Sequence, residues 1–252
     1  MDNKTGNGNV SPEAPVFRVP DENEKINQHP WKLSREDCVL NILKNRNLRH
    51  VADIGVNDMY YTKKLKTFAG GKVYAVDVIF PEEETVRDDI ICLNDIGKLP
   101  DAELDCVVMM DVLEHVENDA LFFGVVVNKL KTNGTVLITV PAWQFLFSAY
   151  DTASLHYRRY NRKQLMALLK RDDVKIERCH YFYISAFLMR LLFLYKKGKS
   201  VANDINWKYS AENIITIIAK TALNIDFLLN KILDKVWIHL PGLSLLAVCK
   251  KI

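Results

Sequence analysis

Between residues 49 and 141 the chain alternates short, almost uninterrupted apolar runs with amphipathic stretches, and this alternation decides the fold class. "RHVADIG" (49–55), "KVYAVDV" (72–78), "DIICL" (89–93), "LDCVVMMD" (104–111) and "TVLITVP" (135–141) read as strands. They are near-continuously apolar, so both faces of their sheet are expected to be covered, as in parallel sheets. Between them, "DMYYTKKLKTFAGG" reads as a helix stopped by two glycines, and "NDALFFGVVVNKLKTNG" as a helix ending at Gly134. Strands interleaved with helices make βαβ units. The expected fold class is therefore α/β, with a Rossmann-like, doubly wound, mostly parallel sheet.

Beyond Pro141 the rhythm changes. Residues 142–160 form an aromatic and charged loop, and "NRKQLMALLKRD" reads as a helix capped by Asn161. "VKIERCHYFYI" and "LSLLAVCK" are expected as two further strands, giving seven, with residues 185–240 a helical insertion before the last one. Upstream, "WKLSREDCVLNILKN" suggests an entry helix with Ser34 as its cap. Residues 1–28 are polar, show no apolar period and read as a flexible arm. Residues 29–252 are then one domain, since 252 residues that are 49% apolar suffice for a single large core.

Five scattered cysteines (Cys38, Cys92, Cys106, Cys179, Cys249) show no C-x-x-C spacing, so neither a zinc site nor a disulfide framework is suggested, and no metal is expected. The first thirty residues lack an apolar h-region. A cytoplasmic setting is the expectation, with membrane association left open. A net charge of +3 does not argue for nucleic acid.

In an open α/β sheet, ligands bind beyond the carboxyl ends of the strands. Acidic residues fall at those positions: Asp53 beside Gly55, Asp77, Asp95 and Asp111. A carboxylate ending the second strand can accept hydrogen bonds from both ribose hydroxyls of an adenosine-containing cofactor. The first turn, "DIGVND", is not G-x-G-x-x-G, and a carboxylate before its glycine would repel a pyrophosphate. A cationic cofactor without phosphates fits better, and a nicotinamide oxidoreductase is disfavoured.

Together, "VADIGVN", "VYAVDV", "NDIGKLP", "LDCVVMMDVLEHV" and "GTVLITVPAW" resemble class I S-adenosylmethionine-dependent methyltransferases. The similarity is greatest to the branch carrying "LEHV" and then a segment like "HYRRY". "HPWKLSRED" is similar to that branch's entry helix, and "GLSLLAVCKK" to its closing strand. The likeness covers roughly residues 28–180 and 241–252. It implies S-adenosyl-L-methionine as cofactor. Asp53 and Gly55 would flank its methionine moiety, Asp77 would hold the ribose and Asp95 the adenine amino group. Asp111 and Val112 would form the far wall, with Val56, Asn57, Val78, Asn94 and Ile96 completing the pocket. Asn57 stands where the family has a second glycine, and asparagine tolerates left-handed backbone angles. Met59 replaces a third glycine at a position expected to be less demanding.

Methyl transfer from a sulfonium is a displacement that needs alignment, and a base only for some acceptors. His115 and His156 are the candidate bases. Tyr150, His156, Arg158, Arg159 and Tyr160 are candidate acceptor ligands, since arginines and a histidine could clamp an anionic group. The alternative is that they hold the loop against the Asp95 and Asp111 region, or simply face water. The expected function is methyl transfer to a small or medium-sized acceptor, anionic and saccharide- or lipid-linked. The contrasting reading is a catalytically degenerate fold serving as a membrane-peripheral or interaction module. For the insertion, the sequence leaves open a lid, a homodimer surface and a helix lying in a membrane interface.

Overall fold

The computed structural model describes residues 29–56, 59–197, 213–236 and 238–252; the expected arm over 1–28 and Asn57 lie outside them. In chain order the elements are α1 (Pro30–Leu43), β1 (Val51–Ile54), α2 (Tyr60–Lys66), β2 (Val73–Val76), β3 (Thr85–Arg87), β4 (Ile90–Leu93) and β5 (Leu104–Met110). Then follow α3 (Asp119–Lys129), β6 (Leu130–Pro141), α4 (Ala149–Ala153), α5 (Arg162–Leu169), β7 (Val174–Phe182), α6 (Ile184–Lys197), α7 (Ile214–Lys235) and β8 (Ser244–Lys251). One sheet has the order β3-β4-β2-β1-β5-β6-β8-β7. The β4-β2-β1-β5-β6 run is parallel throughout, whereas β3 and β8 pair antiparallel with their neighbours.

The apolar runs are apolar because both faces are covered: every residue of β1 and β2 is buried. Ala52, Ile54, Val107 and Met109 pack on one side with Phe123 and Val126 of α3 and Leu165 and Leu169 of α5. Val51, Val73, Cys106 and Val108 pack on the other with Val39 and Leu43 of α1, Leu65 of α2 and Phe227 of α7. Alternate residues of one strand thus feed two separate cores.

Among the described residues the sheet has eight strands, one more than the seven expected. The extra one, β3, forms a hairpin with β4 in which Arg87 pairs with Ile90. Asp88 and Asp89 carry φ of 49° and 55°, the left-handed pair that a tight two-residue hairpin turn requires. The α3 helix stops at Lys129 rather than at Gly134, because Leu130 turns extended and pairs with Leu104. Gly134 lies within β6, where a Cβ would come 2.8 Å from the carbonyl oxygens of Leu104 and Lys131. It permits a close backbone approach instead of ending a helix. The cap of α1 is His29, whose Nδ1 accepts from Trp31 N at 3.2 Å. Ser34 is inside the helix and fully buried, donating to Asn224 Oδ1 on α7 at 2.6 Å and accepting from the Tyr183 hydroxyl at 2.8 Å.

The described part of the insertion contains two helices, α6 and α7, joined through Asp226. The Asp226 carboxylate on α7 accepts from the backbone N–H of Ile184 (2.9 Å) and Ser185 (2.7 Å), so one helix caps the first turn of the other. Because β7 runs parallel to β1, α6 leaves the sheet on the edge where β1, β2, β4 and β5 end.

Candidate functional site

Strand register sets the site. Ile54 is level with Val76 and Met109, and Val76 with Leu93. Gly55, Asp77, Asn94 and Asp111 therefore emerge along one edge of the sheet, separated by interstrand gaps of roughly 4.8 Å. The order of strands reverses between β1 and β5, and the crevice of an open α/β sheet opens at such a point.

At this switch point the backbone is pressed close. Gly55 has φ +78°, and a Cβ on it would lie 2.6 Å from Val112 Cγ2 in the loop after β5. Both facts demand glycine. Asp111, with φ 56°, accepts from Thr139 Oγ1 at 3.0 Å and pairs with Arg35 of α1. Arg35 was not among the residues singled out from sequence. It is largely buried, its Nε has no hydrogen-bond partner, and burial holds its pKa below the ordinary guanidinium range despite the opposing negative groups around it.

The remaining cofactor candidates are spread along the same edge. Asp53 is buried within β1 and accepts from Thr62 Oγ1 at 2.6 Å, tying α2 to the strand. Asp77 Oδ1 accepts from Ile79 N at 3.1 Å. Asp95 caps the short turn Ile96–Lys98 through Gly97 N (2.6 Å), while Asn94 Oδ1 accepts from Lys98 Nζ at 2.7 Å. Val56 is buried and Val78 is exposed. The left-handed residue among the described part of the first turn, apart from Gly55, is Met59 (φ 57°), the position expected to be the less demanding one. Its side chain is buried against the α1–α2 side of the sheet.

The acceptor-side candidates are knotted into the loop after β5. Tyr157 N donates to Glu114 O at 2.7 Å. The Tyr160 hydroxyl lies 2.8 Å from Asp119 Oδ2 and 3.1 Å from Leu113 O. Arg158 pairs with Asp119 (2.9 Å) and Arg159 with the fully buried Asp151 (2.7 Å). The two arginines thus anchor this loop through Asp119 and Asp151, not through Asp95 and Asp111. Burial pushes the Asp151 carboxyl upward, but hydrogen bonds from His156 and Arg159 and the guanidinium charge outweigh it, holding the group well below the usual carboxylate range. Tyr150 stands exposed on α4.

His115 and His156 come together: their rings meet edge to face with centroids 4.6 Å apart. His156 Nδ1 lies 3.0 Å from Asp151 Oδ1. Burial lowers the His115 pKa, and the neighbouring His156 lowers it further. Beside them is Glu114, which the sequence reading passed over. It is completely buried, neither carboxylate oxygen has a hydrogen-bond partner, and burial pushes its pKa up to about 8. The only hint in sequence was its place beside His115 in "LEHV".

Residues 52–138 match the family model described as "Methyltransferase domain". No curated protein matches the chain significantly. Among solved structures, a methyltransferase from Bacillus halodurans is 15% identical and has a TM-score of 0.52, over 86% of this chain and 99% of that one. A geranyl diphosphate methyltransferase bound to S-adenosylmethionine gives 9% identity and a TM-score of 0.55, over 87% and 85%. A Haloferax volcanii methyltransferase complexed with the Trm112 activator gives 13% identity and 0.52, over 93% and 99%. These likenesses report the fold. Residues 52–138 therefore match a methyltransferase domain, and the chain around them shares the methyltransferase fold.

Proposed function

We propose that this methyltransferase acts on a lipid-linked acceptor met at a membrane surface. The observation that carries the proposal is an apolar stripe exposed on the described part of the insertion. On α7, Ile214, Ile218, Ile225, Leu228, Leu229 and Ile232 recur at spacings that put them on one helix face, and all are exposed. Phe227 and Asn230 on the opposite face are buried. Leu188, Met189 and Leu192 of α6 add to the exposed surface. An apolar face of this extent marks an interaction site, and an amphipathic helix suits a bilayer interface. The neighbouring helix α6 starts on the edge of the sheet that carries the cofactor candidates, which supports an acceptor approaching from the insertion side. No described helix is long and apolar enough to cross a membrane.

On this reading Asp77 holds the ribose, Asp95 the adenine, and the Gly55 backbone, pressed toward Val112, passes beside the methionine moiety. The unsatisfied Arg35 Nε would be met by the cofactor carboxylate. When bound, S-adenosylmethionine supplies an electrophilic methyl group. The protein aligns the acceptor and excludes water. The contacts joining "LEHV" to "HYRRY" support membership of the branch that carries both segments.

The test is transfer of label from methyl-labelled S-adenosylmethionine, offered with either an organic-solvent lipid extract or the matching aqueous extract of cells. Label is expected in the organic phase. Label confined to water-soluble saccharides would remove the lipid assignment.

A further inference from the structure

We propose that Glu114, His115 and His156 form a binding site for a first-row divalent transition-metal cation. One potential ligand atom from each residue lies within 4.8 Å of the others, among the described residues. In a tetrahedral site with metal–ligand bonds near 2.0–2.1 Å, donor atoms stand about 3.3 Å apart. Closure of about 1.5 Å or less per pair therefore completes the set, which is within reach of side-chain rotation.

Three features make the cluster more than a coincidence of residue types. The first is Glu114 itself, fully buried with both oxygens unpartnered. A buried polar group without a partner is uncommon and calls for a compensating interaction. A cation supplies it. The second is the way the imidazoles are held. His156 Nδ1 faces Asp151 Oδ1 at 3.0 Å, and Asp151 is in turn fixed by Arg159 and by Ser148 N at 2.9 Å. A buried carboxylate behind a histidine orients the ring and leaves its second nitrogen as the donor, the arrangement found behind metal-bound histidines. The His115 ring packs edge to face on that of His156, with centroids 4.6 Å apart. The third feature is that the two chain segments are already fastened by the Tyr157 N–Glu114 O bond and the Tyr160 hydroxyl, so no loop must be ordered to assemble the ligands.

Two imidazoles and one carboxylate select Zn²⁺, Fe²⁺ or Ni²⁺ over Mg²⁺ or Ca²⁺, which prefer oxygen donors. Three protein ligands leave at least one position open for an oxygen ligand. The nearby guanidinium groups of Arg35 and Arg159 are each engaged by a carboxylate, Asp111 and Asp151. Nothing in the sequence spacing reveals the site, because its third ligand is supplied 41 residues after the second, through folding alone.

The full chain, stripped with chelator and dialysed, is titrated calorimetrically with Zn²⁺, Mn²⁺, Ni²⁺ and Mg²⁺. Nitrogen-15 imidazole spectra are recorded alongside. One equivalent of Zn²⁺ is expected to bind, and to move the His115 and His156 signals while leaving those of His50 and His180 in place. Millimolar Mg²⁺ should give no such change. Glu114→Gln should lose more affinity than the roughly 10–100-fold that disturbing a neighbour of a ligand costs. His50→Gln should bind like the parent. The wild-type spectra keep the proposal testable should Glu114→Gln fold poorly. Absence of stoichiometric Zn²⁺ binding, or Zn²⁺-induced shifts confined to other histidines, would overturn it. Binding is read without methyl transfer, so failure here leaves the assignment of the methyl acceptor untouched.

Discussion

Arg159 grips Asp151 with a fork: Nε donates to Oδ1 at 2.7 Å and Nη2 to Oδ2 at 3.1 Å, on a carboxylate with no solvent exposure. Removing one partner of such a pair strands the other charge, at a cost of about 3 kcal/mol. Arg159→Ala is therefore expected to lower the urea midpoint strongly. Arg159→Lys should recover only part, because an ammonium cannot reproduce both bonds. A loss below about 0.5 kcal/mol would show that the loop does not depend on this pair.

The same carboxylate predicts an acid limb in stability. The folded pKa of Asp151 is depressed below an unfolded value near 3.9, so its stabilising contribution is complete above that value. The contribution is lost as pH falls below about 4 toward the folded value. Asp151→Asn should be less stable at pH 7 and show a shallower decline below about pH 4. Chemical denaturation across pH 2–7 checks this.

Gly55→Ala meets two obstacles, φ of +78° and a contact with Val112 at 2.6 Å. The backbone part costs about 1–2 kcal/mol and the overpacking about 1–3. Adding Val112→Ala should relieve the second part and leave the first. Equal destabilisation of the single and double variants would contradict this division.

Arg35→Ala is expected to weaken cofactor binding about tenfold, roughly 1.4 kcal/mol. It unpairs Asp111 beside the crevice and removes the cation proposed to meet the cofactor carboxylate. Calorimetry on the variant reads the effect, and unchanged affinity would detach α1 from the site.

Replacing Leu192, Leu228 and Ile232 together by aspartate should abolish co-sedimentation with anionic phospholipid vesicles, which the parent chain is expected to show. All three are exposed, so the fold should survive. A parent that ignores vesicles, yet forms a dimer that the triple variant dissociates, would make the stripe a subunit interface instead.

The layered sheet was legible because apolar periodicity reports burial directly, and β1, β2 and β5 are buried where their runs are apolar. What stayed hidden depended on contacts distant in sequence. The β3 hairpin turns through Asp88 and Asp89, without the Asn-Gly or Asp-Gly signal. Gly134 reads as a helix stop but serves a close strand approach. Ser34 reads as a cap, yet its partners Asn224 and Tyr183 are some 150 or more residues away. The row of strand-end acidic residues could be found from spacing alone. Arg35 and Glu114 could not, because only tertiary folding brings α1 to Asp111 and His156 to His115.

The most direct test of the central reading is calorimetric titration of the full chain with S-adenosylmethionine, beside Asp77→Ala. Saturable one-to-one binding is predicted, weakened about 10- to 100-fold in the variant by loss of charge-assisted hydrogen bonds of about 1.5–3 kcal/mol. No measurable binding by the intact protein, or equal binding by Asp77→Ala, would contradict it.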